Sequence, residues 1–548
     1  QKAFELSELS HTPVMMQLRI RTCHLQGKFY TKNNKKPNIS TINKVKEVAP
    51  HNYDLIAHPP STYAQEELKY GERIDLAKRY ILENSLNEIH QGSIQNIGLV
   101  VQGGLYNNLI SALKEMSLSD ETGNSKISIY ILNIVHPLVP EEIENYAKKF
   151  KGLLIIEEGQ PPYIEQEIGL LIQKLKIPVD IRGKDILPMA GEYTSEVIHK
   201  GVFSFISEYD KSFKNFSNKN YNTEVEALKE DALNLLGSAV PPRPPGFCTG
   251  CPERPFFSAL KMIEKDVGKI HVSTDIGCHS FATFAPFSFG QSILGYGMSL
   301  AASAGVQSFS DKRPIAIMGD GGFWHNGLLS GVASRLLNNS DGILVILQNG
   351  YTSATGTQDL ISTPESEQRQ LAASSSSTNT DKTIEKTLKG LGVEWLKTVH
   401  TYEVGFVKKV LFEALNSNFK GLKVIIAEGE CQLERQRRLK PIKYKTLKDK
   451  KRFVKVRYGV DEDTCTGDHS CIRLSGCPTL TVKPSNDPLK SDPIAYVTDG
   501  CVGCGLCGEN AIEATLCPSF WKAKIITNPN ITERVLNWMR KKVIGVLS

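Results

Sequence analysis

The feature that most constrains this chain is the crowding of its cysteines. Seven of twelve fall between residues 465 and 517 of the 548-residue sequence, in two runs that each end in Cys-Pro. The second run, "CVGCGLCGENAIEATLCP", sets Cys501, Cys504 and Cys507 at CxxCxxC spacing and closes on Cys517. The first, "CTGDHSCIRLSGCP", runs from Cys465 through Cys471 to Cys477, but carries Asp468 where a cysteine is expected and has two extra residues before its last thiol. The opening residues, "QKAFELSELSHTPV", have neither a basic start nor a continuous apolar core, so a cytoplasmic location is expected. In that setting clustered thiols hold metals or clusters and not disulfides.

The length leaves room for roughly three or four domains of about 150 residues each. With 40% hydrophobic and 23% charged residues the composition is that of a globular protein. A net charge of +6 is mild, so no nucleic-acid partner is expected. Apolar runs such as "ILVIL" at 343–347 fall far short of the ~18 residues of a membrane span, so no membrane is expected either. The start, without Met and inside a helical pattern that leads to an expected strand "VMMQLRI", reads as a cut through a longer protein. From about 70 to 200, and again from 248 to about 433, strand-like runs alternate with helical patterns, which argues parallel α/β domains. Strands are expected at "IQNIGLVVQGG", "ISIYILNIV", "KGLLIIEEG", "RPIAIMGD", "GILVILQN" and "LKVIIAEG", and helices at "EEIENYAKKF", "YIEQEIGLLIQKL" and around 327–339. The expected divisions are a terminal piece and Lys/Asn-rich linker (1–50), an α/β domain (51–235), a second (236–433), a basic linker (434–455), a cysteine-rich module (456–525) and an amphipathic tail helix (526–548). The linker is expected to be solvated or to dock an acidic partner. "AASSSSTNTDK" reads as a loop tip, and Cys23 as a buried core thiol.

"GDGG" at 319–322 follows an apolar strand directly, and Asn349 of "QNGYTSATG" stands thirty residues beyond Gly319 at the end of the next apolar run. In a doubly wound sheet both positions fall at the carboxyl ends of neighbouring strands, where such sheets bind ligands. Glycines there let the backbone approach a diphosphate. Asp320, the Asn349 side-chain oxygen and the Tyr351 carbonyl offer hard oxygens to Mg²⁺, whose octahedron diphosphate and water would complete. The pairing resembles the thiamine-diphosphate signature, which makes Gly319, Asp320, Gly321, Asn349 and Tyr351 the expected cofactor-binding residues. His325 in "GFWHNG" is expected to shape that pocket or to serve structure.

Cys248 and Cys251 in "GFCTGCPERP", Cys278 in "STDIGCHSF" and Cys431 after "KVIIAEGE" suit structural zinc or an iron–sulfur cluster, and spacing alone does not separate the two. In order, "CTGCPERP", "STDIGCH", "GDGG", "QNGYTSATG" and the cysteine-rich end resemble the large (alpha) subunits of the indolepyruvate branch of the 2-oxoacid:ferredoxin oxidoreductase family. The resemblance runs from about residue 1 to the end. It implies thiamine-diphosphate-binding, transketolase-like doubly wound parallel-sheet domains and a C-terminal two-cluster ferredoxin-like α+β module. Residues 1–50 would then close a pyrimidine-binding domain, 51–235 resemble a transketolase C-terminal-like domain, and 236–433 bind the diphosphate.

By the same resemblance Cys248, Cys251, Cys278 and Cys431 would hold a [4Fe-4S] cluster beside the thiamine. In two-cluster ferredoxins the last cysteine of each run ligates the other cluster. A first cluster would therefore use Cys465, Asp468, Cys471 and Cys517, and a second Cys477, Cys501, Cys504 and Cys507. An Asp468 oxygen ligand would give the first a labile iron or leave it as [3Fe-4S]. The implied reaction is oxidative decarboxylation of an arylpyruvate, with coenzyme A capturing the acyl group and electrons leaving to ferredoxin; a beta subunit is the implied partner. The activating glutamate is expected in a domain before residue 1, and Glu157, Glu158 and Glu253 are not assigned to it. A non-oxidative thiamine decarboxylase and a pure electron-relay subunit are the competing readings.

Overall fold

A computed structural model describes residues 1–19, 56–209, 218–237, 245–363, 383–515 and 517–547, with a few isolated positions between 23 and 53. The chain forms two compact units, Gln1–Pro241 and Pro242–Ser548. Among the described residues no helix is long and apolar enough to cross a membrane.

The first unit is built on a sheet ordered β1-β3-β2-β4-β5. Its strands are β1 (Glu88–His90), β2 (Ile94–Gln102), β3 (Ile127–Leu132), β4 (Gly152–Ile156) and β5 (Asp180–Arg182), parallel except for β1. Side chains of β3 face alternate ways. Ile127, Ile129 and Ile131 join one core, Tyr130 and Leu132 another. Both faces are covered, which is why the strand reads as one apolar run. Glu157 accepts the backbone N–H of Ile164 and Glu165 (3.1 and 3.0 Å) at the start of the helix Tyr163–Leu175, where a carboxylate suits the helix dipole. Glu158 is held by Arg19 (2.9 Å) and by the Tyr193 N–H (2.6 Å).

Two expectations fail in this unit. Residues 14–19 of "VMMQLRI" pair with no strand, and Val14, Met15, Met16 and Leu18 are exposed, because the segment meets neither edge of the sheet. Cys23 is exposed, a lone thiol in the polar stretch "RIRTCHLQGK" with too few apolar neighbours to draw it in. The serine-rich loop tip and most of the Lys/Asn-rich linker lie outside the described residues.

In the second unit, β6 (Val272–Thr274), β7 (Ser292–Ile293), β8 (Ile315–Gly319), β9 (Gly342–Gln348), β12 (Trp395–His400) and β13 (Leu422–Glu428) form an all-parallel sheet ordered β12-β13-β9-β8-β6-β7. A short pair, β10 (Tyr351–Thr352) and β11 (Gln358–Asp359), follows β9. Ile343, Val345 and Leu347 of β9 pack with Phe256, Phe257 and Leu260 of the helix Glu253–Val267. Leu344 and Ile346 pack on the other face with Leu300, Phe323 and Val332. Each such buried side chain contributes about 1.5–3 kcal/mol. The helix expected around 327–339 starts seven residues earlier, at Asp320, and runs to 337 with wide i→i+5 turns over Phe323–Ala333. Packing of Gly321, Gly322 and Phe323 into the core overrides the weak helix propensity of the glycines.

The cysteine-rich module pairs β14 (Phe453–Val460) antiparallel with β17 (Phe520–Thr527), and β15 (Leu480–Lys483) with β16 (Ile494–Val497). The helices Ser470–Ser475 and Leu506–Thr515 complete two like halves, and the outer ladder overruns the expected bounds of 456 and 525 at both ends. The basic stretch 434–455 is no simple linker. Residues Gln432–Lys448 form a helix despite Pro441, followed directly by β14. It buries only Gln432 and Glu434, and Arg and Lys stems tolerate a solvated helix well. The tail helix Ile531–Leu547 is fixed by Glu533, which accepts from Arg452 Nη2 at 2.6 Å.

Lys423 in β13 is wholly buried. Its Nζ donates to Asp341 Oδ1 (2.5 Å), while Arg313 Nε donates to Asp341 Oδ2 (2.8 Å). Asp341→Ala should cost about 3 kcal/mol by leaving that ammonium unpaired, whereas Lys423→Met should cost about 1 kcal/mol or less. Urea midpoints of the two variants measure the difference.

Candidate cofactor loop and cysteine cavities

β8 and β9 are adjacent and parallel, with Gly319 opposite Leu347, so Asp320 and Asn349 leave the same end of the sheet side by side. Asp320 is 1% exposed. Its Oδ1 accepts the Gly321 N–H (3.0 Å), and its Oδ2 accepts those of Asn349 and Gly350 (2.9 and 2.7 Å). Burial pushes this carboxyl up to about 7 against the pull of the three N–H groups. Asn349 Oδ1 accepts from the Tyr351 N–H (3.2 Å) and Ser353 Oγ (2.8 Å). Asp320, Asn349 and the Tyr351 backbone therefore share one turn, and a carboxylate, an amide and a main-chain carbonyl are the donor chemistry that suits Mg²⁺.

The glycines act differently from expectation. A Cβ on Gly321 would lie 2.2 Å from Tyr296 Oη, and one on Gly322 2.2 Å from Asp275 Oδ2. They admit the protein's own side chains; the open position is Gly350, at φ 88°, where a Cβ would meet nothing. His325 is exposed, with its ring 5.1 Å from that of Tyr296.

Sequence reasoning missed a buried polar group beside this turn. His279 Nε2 is hydrogen-bonded to Asp275 Oδ1, and Asp275 Oδ2 accepts the Gly297 N–H (2.7 Å). Glu253 Oε1 accepts from Asn349 Nδ2 (3.1 Å), while its Oε2 lies 3.9 Å from His279 Nδ1. Burial opposes a charged His279, but Asp275, Glu253 and Asp320 outweigh it and hold the imidazole above its ordinary value. Burial pushes Glu253 up. The signal lay in "CPERP" and "STDIGCH", whose acidic and histidine residues were passed over for their cysteines.

Cys251 follows Cys248 through a tight turn (N–H to carbonyl, 3.0 Å) that needs Gly250 at φ 73°, where a side chain would collide with Val502. Cys431 donates its N–H to the Asn349 carbonyl (3.2 Å). Burial pushes the thiols of Cys248, Cys251, Cys278 and Cys431 up, and each of Cys248 and Cys278 also feels the charge of Cys431. Four cysteines distant in sequence thus lie within electrostatic reach beside the Asn349 turn.

The remaining seven sort into two open cavities. One is lined by Cys477, Cys501, Cys504 and Cys507 together with Arg254, Thr479 and Tyr458. The other is lined by Cys465, Cys471, Cys517, Asp468 and His469. Asp468 is exposed at its rim and accepts from Ser470 Oγ (2.5 Å). Burial and the neighbouring Cys465 push Cys471 up to about 11. Cys477 is the exception: burial raises it, but the Arg254 guanidinium and the Thr479 hydroxyl (3.2 Å) bring it below the ordinary thiol value.

Residues 275–427 match the family described as "Thiamine pyrophosphate enzyme, C-terminal TPP binding domain". The chain is 25% identical over 528 residues to the indolepyruvate oxidoreductase subunit IorA of Archaeoglobus fulgidus, covering 94% of this chain and 73% of that protein. Against the IorA of Methanothermobacter thermautotrophicus it is 24% identical, covering 92% and 72%. A 2-oxoglutarate:ferredoxin oxidoreductase structure from Magnetococcus marinus overlaps 36% of this chain and 66% of its own, at 16% identity and a TM-score of 0.29.

A carboxyl whose folded value is raised loses stability as pH climbs from the unfolded value through the folded one. With no divalent metal added, the chain should therefore lose thermal stability relative to its Asp320→Asn variant between about pH 4 and 7 and no further above that. Melting midpoints across that range test this; parallel pH courses would contradict it.

Proposed function

Because this chain belongs to the 2-oxoacid:ferredoxin oxidoreductases, on the side of the indolepyruvate large subunits, we propose that it oxidatively decarboxylates an arylpyruvate such as indolepyruvate. The acyl group goes to coenzyme A and two electrons leave singly to ferredoxin. The observation that carries this reading is the coexistence, in one compact unit, of the Asp320–Asn349 turn, the four thiols beside it and two cysteine-lined cavities. A decarboxylase that moved no electrons would have no use for the cavities.

Each group of residues has a role. Asp320, Asn349 and the Tyr351 carbonyl would hold Mg²⁺ on the diphosphate, with Gly319 and Gly321 shaping the turn. Thiamine diphosphate supplies the electron sink for loss of CO₂. Glu253, Asp275 and His279 close the floor of the site against water and fix Asn349. Cys248, Cys251, Cys278 and Cys431 would hold the first iron–sulfur cluster, Cys477, Cys501, Cys504 and Cys507 a second, and Cys465, Asp468, Cys471 and Cys517 a third. Zinc is a poorer tenant, because Zn–S bonds of about 2.3 Å draw four sulfurs to about 3.8 Å from one another. Among the described residues no three such ligands converge on a point, and the cysteines stand around open space instead.

The deciding experiment is anaerobic reconstitution with the smaller subunit, then a panel of 2-oxoacids with coenzyme A and ferredoxin. Coenzyme-A-dependent ferredoxin reduction is expected with at least one arylpyruvate; none with any 2-oxoacid would sink the assignment. Iron should approach 12 per chain, and fewer than about four would favour non-oxidative chemistry. Asp320→Ala should weaken thiamine diphosphate binding at least about 100-fold by titration. Asp468→Cys should change the EPR signal of the Cys465 set, and an unchanged signal would remove the aspartate from its ligands.

A further inference from the structure

Arg254 has no exposed surface, although it is the largest of the fully buried side chains. It opens the helix Glu253–Val267 three residues after Cys251, and its guanidinium lines the cavity of Cys477, Cys501, Cys504 and Cys507. Nη1 donates to the Ser475 carbonyl (3.0 Å), Nε and Nη2 find no oxygen or nitrogen acceptor, and the Cys477 thiol lies within hydrogen-bonding and electrostatic reach of the guanidinium. Among the described residues no carboxylate lies within ion-pair distance of it; its neighbour Glu253 turns to Asn349 and His279 instead. A buried cation facing no carboxylate and only a thiol is costly, and the cost is recovered when an anionic acceptor fills the cavity. The side chain is also held in place. Ser258, one turn on, donates to the Leu474 carbonyl (2.7 Å) and accepts from Asn510 Nδ2 (3.2 Å), fixing the helix against the loop that carries Cys477.

We propose that Arg254 is a positioning residue for a sulfur-bridged iron group in this cavity, donating its free N–H groups to that group's sulfur atoms. The inference rests on the reading of the cavity as a cluster site. When the group takes one electron its charge falls by one and no bond forms or breaks. Arg254 keeps its proton, and its fixed positive charge favours the reduced form. The Asp468 cavity is lined by an acidic side chain and by His469, whose ring is already bonded to the Pro493 carbonyl (2.7 Å). The two cavities therefore differ in potential, and the one that reaches back to Cys251 through Arg254 is the better electron acceptor.

The test is an EPR-monitored redox titration of the reconstituted full chain, comparing wild type with Arg254→Met and Arg254→Lys. Met should lower the midpoint of the signal from the Cys477 set enough to change its oxidised-to-reduced ratio at fixed potential at least tenfold, 59 mV for one electron. Lys should recover part of the shift, and the Cys465 signal should stay put as an internal reference. Loss of the Cys477 signal alone in Met, with retention in Lys, would support the same role. An unchanged midpoint at normal iron content, or loss of both signals in both variants, would overturn it. A wild-type chain that takes up no cluster in this cavity would overturn the functional reading as well.

Discussion

The helix Glu253–Val267 is the element on which the second unit depends. Its body carries Phe256, Phe257, Leu260 and Ile263 into the core beneath β8 and β9. Successive residues on a helix diverge by about 100°, and its first turn uses that divergence. Glu253 reaches Asn349 and His279, while Arg254 and Ser258 reach the carbonyls of Ser475 and Leu474. One rigid rod thus sets the cofactor turn, the Cys248–Cys251 loop and the cysteine module in register, with no flexible joint between them.

Much of this was legible in the sequence because it was local. The apolar runs of β2, β3, β8, β9 and β13 announce strands buried on both faces, and the two Cys-Pro runs mark the module whose cysteines gather around the two cavities. What escaped was tertiary. Glu253 meets Asp275 and His279 from 22 and 26 residues away in the chain, and no motif joins it to them. The start of the 320–337 helix was hidden because glycines read as a turn until packing against Tyr296 and Asp275 makes them necessary. The helix Gln432–Lys448 was hidden because charge and an internal proline read as a linker.

Burial raises the thiols of Cys248, Cys251, Cys278, Cys431, Cys471, Cys504 and Cys507 above their ordinary values. Loading these sites must then release protons, which ties their filling to pH. Cys477 is shifted the other way, under the influence of Arg254.

The crossing of the two cysteine runs has a consequence for biogenesis. Each cavity takes thiols from both ends of the module: Cys465 and Cys471 need Cys517, and Cys501, Cys504 and Cys507 need Cys477. The cavity of Cys477 is lined by no residue beyond Cys507, whereas that of Cys465 needs Cys517, Ser519 and Phe520 at the start of β17. The two cavities are therefore completed in order during synthesis: a chain stopped just after Cys507 would hold all four thiols of the first and only two of the three of the second.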